Sequence, residues 1–227
     1  MQRFLIIDQI RGLAIILMVV YHLIYDLAYF GYFDFDMNVD DHWRYFRMVI
    51  MTLFIGVSGI CLSLAYRKQF NLQLFGLRAG KLALCALLIS LISLVIFPNS
   101  WIFFGILHFL LVSSLVCVCF VRLPVISLLL GLVCLVVSWL ELLPFWWPFE
   151  YISQYLPQER PQDYVPLLPW LGIAFISMSM VSYIPHSWFE IKIPGVLLVQ
   201  LGQRSLMIYM IHQPIIFGVI WLYGRVS

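Results

Sequence analysis

Charge is what this sequence has least of: Asp, Glu, Lys and Arg make up 11% of its 227 residues, whereas 63% are hydrophobic. A soluble domain carries about 25% charged and roughly 45–50% apolar residues. The deficit excludes a water-soluble globule and implies an integral membrane protein. The net charge of +2 is too small to point to nucleic acid as a partner. No P-loop or GxGxxG fingerprint is present, and neither internal repeats nor low-complexity segments occur. The five cysteines, Cys61, Cys85, Cys117, Cys119 and Cys134, all sit in apolar runs. They have neither metal-ligand spacing nor paired extracellular positions, so they read as small core hydrophobes and no metal is expected. Asp8 and Arg11 interrupt the N-terminal apolar stretch and no small-residue cleavage site follows. The first segment is therefore expected to stay in the mature protein.

What the chain does have is long apolar runs. A helix needs about 20 such residues to cross a bilayer. Seven segments qualify, near 10–31, 45–66, 76–97, 101–121, 124–143, 166–184 and 203–223. The expectation is an all-α helical bundle forming one membrane domain over residues 1–227. Pro98-Asn99, Arg122-Leu123-Pro124 and Pro185 punctuate the runs. The long stretch from Pro144 to Pro166 carries a tryptophan pair, Trp146 and Trp147, suited to the headgroup level and to a short interfacial helix. With the N-terminus cytoplasmic, the inner side collects Arg3, Arg11, Arg67, Lys68, Arg78, Lys81, Arg122, Lys192 and Arg204, and the outer side Arg44, Arg47, Arg160 and Arg225. Nine against four favours that orientation.

Ionisable residues inside a membrane are functional candidates by default. In RGLAIILMVVYH, Arg11 and His22 are eleven apart, within about 20° of one helix line and about 16 Å apart along it. Asp26 lies one turn further, so Arg11, Met18, His22 and Asp26 form one stripe. A carboxylate one turn from a histidine can hold its tautomer and stabilise its protonated form, as in acyl-transfer chemistry. The plainer alternative is that His22 and Asp26 satisfy each other while Arg11 reaches the inner headgroups. His108 in WIFFGILHF and His212 in SLMIYMIHQP fall at a depth similar to that of His22. Three imidazoles near the midplane suggest a shared cavity lined by His108, His212 and Gln213; single packing histidines are the alternative. Pro214 is expected to bend the last helix, and Pro166 and Pro169 to break the entry to the sixth. Gly56 and Gly59 in FIGVSG suit close packing. His42, in the acidic outer loop FDFDMNVDDH, is either a second base or a solvated side chain. A metal site from Asp40, Asp41 and His42 matches no strong spacing. Arg67, Lys68, Arg78 and Lys81 satisfy the topology rule and would also meet the phosphates of a cytoplasmic donor.

Five motifs in order, IDQIRGLAIILMVVYH, LFIGVSG, FGILH, LLPWLG and LGQRSLMIYMIHQP, cover nearly the whole chain. Together they resemble the bacterial branch of the heparan-alpha-glucosaminide N-acetyltransferase catalytic-domain family. The arginine, ten residues, histidine pattern is also similar to the acyltransferase-3 family of the same transmembrane superfamily. The resemblance implies an inner-membrane enzyme that moves an acetyl group from cytoplasmic acetyl-CoA to a sugar or other hydroxyl- or amine-bearing acceptor across the membrane. It points to Arg11 and His22 as essential. The lysosomal relatives carry asparagine where His22 stands and a catalytic histidine in the following loop, where His42 lies. The expected partners are the acyl-CoA donor, the acceptor and membrane lipid, with a homodimer left open. Within this reading His22 acts as base or acyl carrier, Asp26 orients it, Arg11 and the basic turn hold the donor, and His108 and His212 stabilise the oxyanion or position the acceptor. The alternatives are a small proton-coupled transporter, against which the lack of a two-half repeat weighs, and a non-catalytic helper of the same fold.

Overall fold

A computed structural model describes the chain except residues 1–3, 36, 38–39, 157–162, 192–193 and 227, with the side chains of 153–154 and 225–226 also left aside. Arg3, Arg160 and Lys192, used in the charge balance, lie outside the described residues, as does the side chain of Arg225. The described residues form helices and no strand. The helices are α1 (Leu5–Tyr29), α2 (Asp41–Tyr66), α3 (Leu72–Ile96), α4 (Ile106–Val118), α5 (Pro124–Trp139), α6 (Trp170–Met180), α7 (Val196–Gln203) and α8 (Ser205–Val226), with 3-10 turns at Phe149–Tyr155 and His186–Glu190. All-helical structure is what a bilayer demands, since each helix satisfies its own backbone.

Four helices, α1, α2, α3 and α8, are long and apolar enough to cross a membrane, whereas α4, α5 and α6 are shorter apolar helices of 13, 16 and 11 residues. The outer face of α3 shows why the chain is a membrane protein: Leu84, Leu87, Leu91, Ile92, Val95 and Ile96 are all exposed, a surface that lipid covers and water would not. The observed helices track the seven apolar runs but differ at their ends. α1 and α2 start four or five residues earlier, because Asp8, Gln9, Asp41 and His42 are helical although polar. α4 starts later, after an irregular stretch held by Ile102 N–H donating to Ser93 Oγ at 2.9 Å. Irregular backbone also leads through Pro166 and Pro169 into α6, which begins only at Trp170. α8 runs on through Pro214 as one helix. The short helix α7, an apolar stretch opened by Gly195, fell outside the seven expected spans.

The chain divides into two compact units. The first comprises Met1–Phe54 and His186–Ser227, and the second Ile55–Pro185, with α2 running from one into the other. In the first unit, α1 packs against α7 and α8. Ile15, Met18, Tyr21, Met37 and Ile50 make its buried cluster. Met37 reaches it because the acidic loop folds back: Phe35 stacks on Phe33 and on Trp43, each at 5.4 Å between ring centres. In the second unit, α6 is the central element, with Trp170, Gly172, Ala174, Phe175, Ser177, Met178 and Ser179 buried, and it packs on α5 and α4. Gly131 of α5 and Gly172 of α6 face each other so closely that a Cβ on either would meet the other helix's backbone. Gly59 of α2 is pressed likewise against Ala174 and Ser177, whereas Gly56 of the same motif faces open space. Beyond α5, Trp146 stacks on Tyr164 at 4.5 Å and Phe103 on Tyr164 at 5.5 Å. The Tyr164 hydroxyl donates to the Phe145 carbonyl at 3.1 Å, and burial pushes this phenol up to about 12, so it stays a donor.

Candidate functional site

The seam between α1 and α8 gathers the intramembrane polar residues of the first unit. His22 and His212 lie edge to face, 4.8 Å between ring centres at 79°. Each ring is held by its own helix: His22 Nδ1 meets the Met18 carbonyl at 2.9 Å and His212 Nδ1 the Tyr209 carbonyl at 2.7 Å. A carbonyl oxygen can only accept, so Nδ1 of both rings carries the proton. A neutral imidazole then presents Nε2 as a lone pair. His212 is 7% exposed and its Nε2 is buried with no hydrogen-bond partner. Two bases with unprotonated Nε2 atoms thus stand side by side.

Asp26 is 1% exposed, and both its oxygens accept from Gln213 Nε2, at 2.8 and 3.1 Å. The expected pairing of Asp26 with His22 gives way here. The Met18 carbonyl one turn below takes Nδ1, and the Gln213 amide of the facing helix takes the carboxylate. Met18 rather than Asp26 therefore fixes the His22 tautomer, while the Asp26–Gln213 bridge ties α1 to α8 one turn above the imidazoles. This bridge also fixes the flip of the amide, since only the nitrogen can face a carboxylate. Gln213 Oε1 is buried without a hydrogen-bond partner.

Arg11 sits lower on the same helix. Its guanidinium donates to Asp8 Oδ1 at 3.3 Å and to the Gly202 carbonyl at 3.5 Å. It thus joins α1 to the end of α7, in a seam kept narrow by Gly12, where a Cβ would meet the Leu198 carbonyl, and by Gly202, where it would meet that of Asp8. The glycine after Arg11 is therefore a packing requirement. His42 is exposed in the first turn of α2, where the neighbouring Asp41 pairs with Arg44 at 2.7 Å.

His108 belongs to the second unit, and its two nitrogens are engaged. Gly105 N–H donates to Nδ1 at 3.2 Å, and Nε2 meets Ser90 Oγ at 3.1 Å. Since Nδ1 accepts, Nε2 carries the proton and donates to Ser90, whose own hydroxyl donates to the Ile102 carbonyl at 2.6 Å. This is the opposite tautomer to that of His22 and His212, and it serves the start of α4. The Ser90–His108 contact has the spacing of a nucleophile and its base, but this tautomer leaves His108 no lone pair to take the serine proton. The basic turn between α2 and α3 is also in the second unit. There Arg78 donates to Ser58 Oγ at 3.3 Å, and Lys68 and Lys81 are exposed. Sequence reasoning missed the two carbonyls that orient the imidazoles, which no residue type announces, and the Ser90–Ser93 support of α4, which SxxS on an apolar helix could have signalled.

Residues 3–214 match the family described as heparan-alpha-glucosaminide N-acetyltransferase, catalytic. The chain belongs to this family. The family membership carries with it transferase activity of the acetyltransferase type, in an integral membrane protein. No curated protein and no solved structure matches the chain.

Proposed function

We propose that the chain is a membrane-embedded acyltransferase of the bacterial inner membrane that moves an acetyl group from cytoplasmic acetyl-CoA to a hydroxyl or amine of a glycan or related acceptor. The observation that carries this reading is the His22–His212 pair, with Nδ1 of both rings tied to backbone carbonyls. His22 Nε2 removes the proton from the acceptor as its oxygen or nitrogen attacks the thioester carbonyl carbon. The tetrahedral adduct collapses, the C–S bond breaks, and the departing CoA thiolate takes the proton back from the His22 imidazolium. When the acceptor is an amine, its second N–H donates to His212 Nε2; a hydroxyl has one proton to give and engages His22 alone. Two lone pairs repel an oxyanion, so with these tautomers neither His22 nor His212 stabilises the adduct's negative oxygen. Asp26 and Gln213 keep α1 and α8 in register, and the buried carboxylate favours the transient positive charge nearby. Arg11, at the cytoplasmic end of α1, is assigned to the donor phosphates. The family's printed activity, transfer to the amine of a glucosaminide, agrees with a base-rich rather than a donor-rich site.

The test compares purified wild type with His22→Ala and Arg11→Ala. Acetyl-CoA should stabilise the wild type thermally. Membranes from producing cells should contain a glycan or lipid carrying an additional acetyl mass. His22→Ala should lower transfer by about 100-fold or more with thermal stabilisation by the donor retained, and Arg11→Ala should weaken that stabilisation. An unchanged acetylated product in His22→Ala cells would remove His22 from the chemistry.

A further inference from the structure

The second unit contains a cavity of about 460 Å³, lined by Ser138, Glu141, Pro144, Phe145 and Trp147 among others. Its wall begins where α5 ends. Leu142 N–H bonds back to the Val137 carbonyl at 3.1 Å and Glu141 N–H to that of Ser138 at 3.2 Å, closing the helix in the way that needs a left-handed residue between. That residue is Glu141, with φ 53°, the one positive-φ residue other than glycine among the described residues. Glycine or asparagine fits this position at less cost than glutamate. A glutamate at this position carries a conformational cost that a use for its side chain would offset. The carboxylate is exposed and makes no ion pair among the described residues.

The aromatic wall shows the same lack of a partner. Of the tryptophan pair, Trp146 is engaged with Tyr164, Phe103 and Phe145. Trp147 is half-buried and has no ring partner among the described residues; it lines the cavity instead. A carboxylate without a counter-charge and an indole without a ring partner, lining one cavity, are the chemistry that recognises an organic ammonium. Neither group attracts an anion. A neutral polyol would find a stacking surface but would leave the charge uncompensated.

We infer that the Glu141–Trp147 cavity binds a protonated organic amine, with the ammonium between the carboxylate and the indole face and the apolar body against Pro144 and Phe145. The site shares no residue with the His22–His212 pair, and its occupation does not depend on acyl transfer taking place. It would select a ligand for its positive charge and discriminate against neutral counterparts of the same shape.

The test is calorimetric titration of the full chain in nanodiscs, with no acyl donor present. The probes are glucosamine and choline as two unrelated ammonium ions, and N-acetylglucosamine as the neutral counterpart of the first. Both ammonium probes should bind, with N-acetylglucosamine weaker by about tenfold. Glu141→Gln and Trp147→Ala should each weaken both ammonium probes by about tenfold, whereas Trp147→Phe should retain most of the affinity. Glu141→Gly relieves the left-handed strain, so it should raise the melting temperature while losing the binding. That combination separates loss of a ligand group from loss of the fold. Equal binding of glucosamine and N-acetylglucosamine would overturn the assignment, as would unchanged affinity in Glu141→Gln or no heat from either ammonium probe at about 10 mM. Failure of acetyl transfer with ammonium binding intact would count against the proposed reaction and leave this site standing.

Discussion

The two histidines of the α1–α8 seam and the histidine of α4 show how a residue type acquires a role from its hydrogen bonds. His22 and His212 donate from Nδ1 and keep Nε2 as a lone pair, whereas His108 accepts at Nδ1 and donates from Nε2. The first two are equipped as bases; the third completes a helix start. Replacing His108 with alanine leaves the Gly105 N–H and the Ser90 hydroxyl short of a partner, at about 1–3 kcal/mol. A lower melting temperature in detergent, with turnover per folded molecule unchanged, is the expected outcome. The Asp26–Gln213 bridge makes the complementary case. Asp26→Leu strands the Gln213 amide in a buried seam and should destabilise the protein by about 1–3 kcal/mol. Asp26→Asn keeps an accepting oxygen and should cost less, so the two variants' melting temperatures should rank leucine below asparagine. Equal losses would mean that the bridge contributes little. At this scale the sequence was informative about which residues to watch. The stripe of Arg11, His22 and Asp26 and the pair His212-Gln213 are visible from helical spacing alone. The partners were not: Asp26 belongs to Gln213, 187 positions away, and Nδ1 of each histidine belongs to a backbone carbonyl. Such pairings depend on how two helices are rotated against each other, which periodicity within one helix does not specify.

At the scale of elements, the helices followed from apolar run length, and their ends from local chemistry that the runs conceal. Polar residues at the start of α1 and α2 stay helical because a helix does not stop at the bilayer surface. Prolines and the Ser90–Ser93 bonds delay α6 and α4. The element that escaped notice, α7, is eight residues long, too short to signal itself by length. Its importance lies in its contact with α1, where Gly12 and Gly202 permit backbone-to-backbone approach. A Cβ at either glycine would be pressed into a carbonyl oxygen rather than into a movable side chain. Gly12→Ala and Gly202→Ala should therefore each cost at least the 1–3 kcal/mol of an overpacked core, while Gly56→Ala, which meets nothing, should be neutral or slightly stabilising. Denaturation midpoints of the three variants in one detergent check the ranking, and comparable losses at Gly12 and Gly56 would contradict this account of the α1–α7 seam.

For the molecule as a whole, the open quantity is how many of its helices cross the bilayer, because that decides which side each loop meets. At 1.5 Å per residue, α4, α5 and α6 extend about 20, 24 and 17 Å, against a hydrocarbon core of about 30 Å. Short helices can still complete a crossing when irregular backbone at their ends is enclosed by protein. α4 and α6 begin after irregular stretches, 101–105 and 163–169, whose residues are buried or half-buried. The charge distribution points the same way: Arg122 between α4 and α5 and Arg204 ahead of α8 count as cytoplasmic only if all seven apolar helices cross. A four-crossing arrangement using α1, α2, α3 and α8 alone would keep everything from α4 to α7 on the far side and return the C-terminus to the cytoplasm. The two arrangements separate cleanly by labelling. With the five native cysteines replaced by serine, Ser100→Cys and Glu141→Cys should react with a membrane-impermeant maleimide from outside in either arrangement, and Gln69→Cys only after permeabilisation. Arg122→Cys and Ser187→Cys decide: protection until permeabilisation means seven crossings, and external labelling of both means four. We expect protection. The proposed chemistry needs that result at the far end of the chain, since seven crossings carry α8 from the cytoplasmic side outward, parallel to α1, whereas four would run it antiparallel. His22 meets His212, Tyr29 meets Phe217 and Tyr32 meets Tyr223, so contacts advance along both segments together, as they do for helices that run in the same direction.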